Sequence, residues 1–116
     1  MISDSYRSRG DGPGLTRDAM MFFASSYLDG HSETDPRVSP LLVSDLSGLP
    51  RTLVITAGND PLHDEGVEFA AALADTGQPV VAVDYPRMIH GFAAMGGAVP
   101  EGEHALQQVA YFIAKP

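Results

Sequence analysis

The run Thr52-Leu53-Val54-Ile55-Thr56-Ala57-Gly58 gives the clearest structural signal in this chain. Its centre is continuously apolar, which is typical of a strand covered on both faces of a parallel sheet. A helix is predicted next, with five residues on one face and a glycine at its left-handed C-cap: Leu62, Gly66, Phe69, Ala70 and Leu73, then Gly77. A second apolar strand begins at Val80 and is expected to stop at Pro86. The order strand–helix–strand predicts a right-handed βαβ unit.

Helices are predicted on both sides of this unit. Upstream, Thr16 is a candidate N-cap, and apolar residues follow at helical spacing until Gly30 ends the helix: Met20, Phe23, Ala24, Tyr27 and Leu28. Downstream, a last helix is expected after a loop at 87–99. Its inward-facing residues are predicted to be Leu106, Val109, Ala110 and Ile113. Glu101 and Glu103 are expected near its N-terminus, where the helix dipole favours acidic residues. Residues 1–15 are predicted as turns, and 32–50 as an ordered connector with a helical turn at 44–47.

The fold class is therefore α/β, but two strands are too few for a complete sheet. Sheets average about five or six strands. A lone parallel pair would leave both strand edges unprotected. Either another chain completes the sheet, or the sequence is a piece of a larger fold.

Composition narrows the function classes. A chain of 116 residues fits one domain. Its 7 Lys+Arg against 15 Asp+Glu give a formal charge of −8, which argues against a nucleic-acid partner, because phosphate binding needs clustered basic residues. The absence of cysteine excludes disulfides, thiolate metal sites and cysteine nucleophiles. No apolar run approaches the ~20 residues that span a bilayer, and no signal segment is recognised at the start, so we expect a soluble, cytoplasmic chain without a membrane partner.

Asp60 and His90 are the candidate catalytic residues. Each follows one of the two strands, and ligand and catalytic groups collect at the carboxyl ends of strands in open α/β sheets. Neighbouring parallel strands would bring the two loops together. Asp60 would then accept the Nδ1–H of His90, fixing the tautomer of the imidazole. Gly91 allows the tight backbone path that such a loop needs.

Simpler interpretations exist for the same residues. Asp60 could cap the helix that follows, because Asp-Pro commonly opens helices. His90 could be an ordinary packed or solvated loop histidine. His63, Asp64 and Glu65 do not predict a metal site, because adjacent helix residues point in different directions. The two acids are instead assigned to the helix dipole.

Two further groups receive no catalytic role. His104 is expected on the exposed side of the last helix. The apolar run at 20–23 is expected to pack in a core or an interface, with an apolar pocket as the alternative.

Three motifs resemble a known family: Ser39-Pro40-Leu41-Leu42, Asp60-Pro61-Leu62-His63-Asp64-Glu65-Gly66 and Ile89-His90-Gly91-Phe92. In this order they resemble the C-terminal motifs of the hormone-sensitive-lipase-like esterases, which are α/β-hydrolases of the acetyl esterase and carboxylesterase kind. Residues 35–40 and 49–58 fit the same pattern. Ser5-Tyr6-Arg7 and residues 12–20 are similar to the family's cap insertion and the helix after it.

The resemblance implies a carboxylic ester hydrolase with a Ser-His-Asp mechanism and no cofactor. Asp60 would be the triad acid, and His90 the general base and acid. The two strands would be the seventh and eighth of an eight-stranded sheet, so the chain would be a partial α/β-hydrolase fold. It would form the C-terminal part of one domain over 1–116, with a cap-like segment and helix at 1–30 and the Asp/His portion at 31–116.

Two parts of the family's active site are absent from the sequence. The nucleophilic serine lies on a Gly-x-Ser-x-Gly elbow, and a His-Gly-Gly motif forms the oxyanion hole; neither pattern occurs here. Ser32 follows Gly30 at the right spacing but lacks the second glycine and a preceding strand, so we interpret it as a loop serine. We therefore expect the C-terminal portion of an esterase, inactive alone and acting on small acyl esters if a serine-bearing segment completes it.

Two other functions stay open. A non-catalytic α/β module could pair with a partner through an open strand edge, and a homodimer through the strand at 80–85 is one form of such pairing. A truncated, non-functional remnant would instead fold poorly and aggregate at the uncovered edge of the strand at 52–58. The acid and the histidine favour descent from an enzyme.

Overall fold

The computed structural model describes residues 3–115, so the turns predicted at Met1 and Ile2 lie outside the described residues. The elements in chain order are α1 (Asp4–Arg9), α2 (Arg17–Leu28), a 3₁₀ turn (Pro40–Leu42), β1 (Thr52–Asn59), α3 (His63–Asp75), β2 (Val80–Ile89), a second 3₁₀ turn (Phe92–Met95) and α4 (Pro100–Ala114).

β1 and β2 form a parallel pair with α3 between them in the chain, which confirms the predicted strand–helix–strand unit. The prediction that Pro86 stops the second strand is wrong, because β2 continues to Ile89. The register of the pair shifts between Ala57 and Asn59 of β1. Pro86 lies in the shifted segment of β2, where a residue without an N–H group removes no bond from the ladder.

α3 buries the face that the sequence predicted. Ala70 and Leu73 are buried on it, and Gly77 follows its C-terminus with φ +80°, as expected for a left-handed C-cap. Gly66 allows a close approach to β1, because a Cβ at this position would lie 2.8 Å from Thr56 Cγ2. The helix therefore packs tightly beneath the strand that ends at the candidate site.

α1 is a correction to the sequence analysis, which predicted only turns at 1–15. Ser3 caps α1 by accepting a hydrogen bond from the Tyr6 amide at 3.3 Å. Ser5 is 1 % exposed and donates to the carbonyl of Pro61 at 2.8 Å. Tertiary contact with the start of α3 thus stabilises a helix too short to be stable alone.

The connector differs from the prediction in one place. No helix forms at 44–47; the helical turn lies earlier, at Pro40–Leu42, because proline supplies the φ angle of a first helical position. At the predicted position the carboxylate of Asp45 instead accepts the Ser47 amide at 2.8 Å. This local turn competes with a helix for the same backbone group.

α2 begins where predicted, with Thr16 Oγ1 accepting the Ala19 amide at 3.2 Å. It ends at Leu28, just before Gly30, because Asp29 adopts a left-handed conformation with φ 44°. Its apolar face is mostly uncovered: Leu28 is buried, but Tyr27 is 81 % exposed. Within residues 3–115, α2 makes no extensive contact with either strand.

α4 packs with a different face from the predicted one. Leu106 and Ile113 are exposed, Ile113 by 74 %, whereas Gly102 and Ala105 are buried. The small residues face inward because α4 approaches the second 3₁₀ turn closely: a Cβ on Gly102 would lie 2.7 Å from the Phe92 carbonyl oxygen. Backbone proximity, rather than side-chain size, sets the orientation of this helix.

A small core cluster lies between the strands and α4. Ala57, Phe92 and Ala105 form its buried centre, and the Tyr85 ring packs against Phe92 with centroids 4.8 Å apart. Among residues 3–115, no helix combines the length and apolar character needed to cross a bilayer.

Candidate active site

Asp60 and His90 lie together at the carboxyl ends of the two strands. β1 ends at Asn59 and β2 at Ile89, so each candidate is the first residue after its strand. Asn59 pairs with Ile89 in the sheet, and this pairing brings the next residues level with each other. The juxtaposition expected from parallel topology is present in the structure.

Asp60 uses both of its carboxylate oxygens. Oδ2 lies 2.8 Å from His90 Nδ1, and Oδ1 accepts the amide of Leu62 at 2.9 Å. Leu62 is the N-cap residue of α3, and no side chain caps the first turn, so the interpretation of Asp60 as the helix cap is wrong, although its Oδ1 closes a turn just before the helix. One oxygen orders this turn and thereby orients the other oxygen toward the imidazole.

His90 presents its second nitrogen away from Asp60. With Nδ1–H donating to a carboxylate, the lone pair of the neutral ring lies on Nε2. The His90 side chain is 45 % exposed, whereas that of Asp60 is 11 % exposed. Gly91 has φ +78°, a conformation that side chains rarely adopt, and turns the chain immediately after the imidazole. The pair thus has a buried carboxylate behind an accessible base.

A cleft of about 210 Å³ opens beside this pair. It is smaller than the roughly 300–1,000 Å³ of complete ligand pockets. Its polar side chains are those of Asp60 and His90. The rest of its lining is mostly apolar and includes Ile55, Ala57, Phe92, Ala105, Leu106 and Val109. Such a surface suits an apolar segment of a ligand held next to a base.

Sequence reasoning missed a second polar cluster, which joins α1, α3 and β2. His63 Nδ1 lies 2.8 Å from Asp64 Oδ1, so these adjacent side chains do contact each other. His63 Nε2 is 3.4 Å from Asp84 Oδ1. Asp64 Oδ2 accepts the backbone amide of Ser5 at 2.8 Å. The pairing of Ser5 with Asp64 has no sequence signal, because 59 positions separate the two residues.

These contacts alter the acidity of Asp64. The hydrogen bond from His63, followed by that from the Ser5 amide, lowers the pKa of Asp64 below its ordinary value of 3.8. Arg9, whose NH1 is 4.0 Å from Asp64, acts in the same direction. Within residues 3–115, no three acids or histidines are grouped so that they could hold a metal ion.

The remaining candidates lie outside the cleft. Ser32 occupies an exposed turn, with its Oγ 2.7 Å from Thr34 Oγ1. His104 is exposed on α4, as predicted. The expectation of core packing for the apolar run at 20–23 is wrong in this chain, because Met21, Phe22 and Phe23 are all more than half exposed; packing at an interface stays a prediction.

Comparison with known proteins gives consistent matches. A family model described as alpha/beta hydrolase fold matches residues 2–94. Carboxylesterase NlhH of Mycobacterium tuberculosis is 33 % identical over 105 residues, which are 87 % of this chain and 33 % of that protein. Ethyl acetate hydrolase of Pseudomonas putida is 34 % identical over 106 residues, 90 % of this chain and 33 % of that protein.

Solved structures agree with the sequence matches. EstE1, a thermostable carboxylesterase from a metagenomic library, superimposes with a TM-score of 0.91 at 37 % identity, over 97 % of this chain and 39 % of that one. The chain spans about a third of the length of the curated relatives that it matches. From its sequence and its structure, the chain belongs to the α/β-hydrolase fold family, as the resemblance predicted, and corresponds to one segment of the esterases in it.

Proposed function

We propose that this chain provides the acid and histidine of a carboxylic ester hydrolase active site. The observation that carries the proposal is the 2.8 Å contact between His90 Nδ1 and Asp60 Oδ2 at the carboxyl ends of paired strands. Similarity to carboxylesterases and to an ethyl acetate hydrolase supports small acyl esters as the substrate class.

In the proposed reaction, His90 Nε2 takes the proton of a serine hydroxyl as that oxygen attacks the ester carbonyl. The same nitrogen then donates the proton to the departing alcohol. Asp60 holds the ring in the required tautomer and stabilises the imidazolium that forms. A water molecule then attacks the carbonyl of the acyl-serine while His90 takes and returns the proton in the same way. The carboxylic acid and the free serine are released. The acyl group passes from the alcohol to serine and then to water, protons pass through His90, and no atom changes its oxidation state, so no cofactor is required.

The serine must come from outside the 116 residues in this proposal, since neither the Gly-x-Ser-x-Gly elbow nor a His-Gly-Gly motif occurs in them. Enzymes of this kind that lose a triad residue keep about 10³–10⁴-fold catalysis over water, from the oxyanion hole and substrate binding. The chain alone lacks that oxyanion motif too. We therefore expect it to hydrolyse no ester by itself.

A chimera tests the proposal. The part of EstE1 that precedes its matched segment is fused to this chain, and hydrolysis of p-nitrophenyl acetate is measured. We expect turnover that falls at least about 10³-fold in His90→Ala and is unchanged in His104→Ala, a matched exposed histidine. A folded chimera whose rate does not depend on His90 would refute the proposal.

The isolated chain provides the complementary measurement. Its rate with p-nitrophenyl acetate should equal that of buffer. A rate above buffer that disappears in His90→Ala would show that the chain needs no serine-bearing segment.

A binding module is the second candidate, favoured by the two-stranded sheet with its uncovered edges in the described part of the chain. A homodimer through residues 80–85 would use β-strand addition. Sedimentation should then show a dimer that Val81→Lys disrupts and Val67→Lys does not; the two valines are equally exposed, on β2 and α3 respectively. A monomer at all concentrations would exclude this dimer.

A further inference from the structure

The register shift in β2 decides which residue faces Asp60. From Thr52 and Val80 to Ala57 and Tyr85, paired residues are 28 positions apart in the sequence. Asn59 and Ile89, beyond the shift, are 30 positions apart. Asp60 and His90 are also 30 apart. Two extra residues of β2 have therefore been absorbed just before the candidate site.

Without this shift, Met88 would stand level with Asp60. His90 would lie two residues further along the strand, a displacement of about 6.6 Å. A hydrogen bond of 2.8 Å between His90 and Asp60 does not survive such a displacement. With the present numbers of residues in β1 and β2, the hydrogen bond between Asp60 and His90 therefore requires the two-residue register shift.

Gly58 provides the space into which the shifted segment fits. It lies in β1 between the two registers, next to Pro86 of β2. A Cβ added to Gly58 would overlap the carbonyl oxygen of Pro86 and lie 2.5 Å from its carbonyl carbon. These are backbone atoms, which cannot rotate away as a side chain can. Any other residue at position 58 must displace the Pro86 backbone.

We propose that Gly58 is a positioning residue, which aligns His90 with Asp60 by accommodating the two-residue shift at Pro86. Gly58 acts through the backbone of β2 and contacts no reacting group. The catalytic importance of this alignment rests on the proposed function, but the alignment itself is a structural statement that can be tested without activity.

The test compares Gly58→Ala with Gly97→Ala in the full chain by NMR. Gly97 is the matched control, because nothing lies within 4 Å of an added Cβ and its φ is not in the left-handed range. The readouts are the downfield Nδ1–H resonance of His90 and the cross-strand contacts between Val54 and Ala82. Gly58→Ala should lose the His90 resonance while the Val54–Ala82 contacts persist; Gly97→Ala should keep both.

A second variant decides the matter if Gly58→Ala does not fold. Deleting Arg87 and Met88 removes the two extra residues, so Ile89 can pair with Asn59 in the unshifted register. The His90 resonance should then survive the deletion and tolerate the added Gly58→Ala change. Persistence of the resonance in Gly58→Ala alone, or its loss from the folded double variant, would overturn the proposal. Neither result depends on whether the chimera hydrolyses esters.

Discussion

His90 Nδ1 lies 2.8 Å from Asp60 Oδ2, across the two strands of a parallel pair and 30 residues of chain. The carboxylate is nearly buried and the imidazole is accessible, so the carboxylate can orient the ring while Nε2 meets a substrate. This arrangement makes the role of each residue separately measurable.

Asp60→Asn in the chimera should lower kcat by about 10⁴-fold, because an amide in place of Oδ2 favours the wrong tautomer of the histidine. The amide oxygen can still accept from Leu62, so the fold should persist. Steady-state hydrolysis of p-nitrophenyl acetate measures the effect. Asp45→Asn is the control, since Asp45 caps only an exposed turn. Equal kcat values for both variants would contradict the assignment of Asp60.

Ser5→Ala should destabilise the chain by about 1–3 kcal/mol, because it leaves buried polar groups without a partner. The hydroxyl donates to the Pro61 carbonyl and accepts the Asp64 amide at 3.1 Å. Urea denaturation followed by circular dichroism gives the free energy of unfolding. Ser8→Ala, on the same helix but exposed, should change it little. A similar loss in both variants would mean that Ser5 does not dock α1.

Gly102→Ala should cost about 1–3 kcal/mol through overpacking. The added methyl would lie 2.7 Å from the Phe92 carbonyl oxygen and 2.8 Å from the Gly96 amide nitrogen. Gly97→Ala provides the comparison, because an added Cβ there meets nothing. Thermal unfolding measures both variants. An unchanged melting temperature for Gly102→Ala would show that α4 is not held by close backbone contact.

Acid should destabilise the chain partly through Asp64. Its pKa is lowered in the folded chain by His63 and by the Ser5 amide, so the unfolded chain binds the proton more tightly. The stabilisation is present above pH 3.8 and is lost as the pH falls through the lower folded pKa. The effect should be small, because the side chain is 39 % exposed.

The contribution of Asp64 is measured as the decrease, between pH 6 and pH 2.5, in the urea concentration at which half of the chain is unfolded. Asp64→Asn should show a smaller fall than the unmodified chain, because it has no proton to gain. Glu68→Gln, exposed on the same helix, should retain the full fall. An undiminished fall in Asp64→Asn would contradict the linkage.

The sequence was sufficient for β1, for α3, for the start of β2 and for the neighbourhood of Asp60 and His90. Continuous apolar runs such as the one at β1 and the glycine at position 77 report local preferences, which residues keep in most surroundings. Parallel topology then places the residues after β1 and β2 at one edge of the sheet. The approach of the loops that carry Asp60 and His90 followed from these two facts, whereas the hydrogen bond between the two residues also required the register shift in β2.

Tertiary structure decided what local preference leaves open. α1 forms because Ser5 finds partners 56 and 59 positions away, and α4 turns Gly102 inward because its backbone fits against Phe92. The register shift at Pro86 depends on the space left by Gly58 in the neighbouring strand. Each of these outcomes depends on contact between distant segments, and the free energy of such contacts is not encoded in the spacing of residues along one segment.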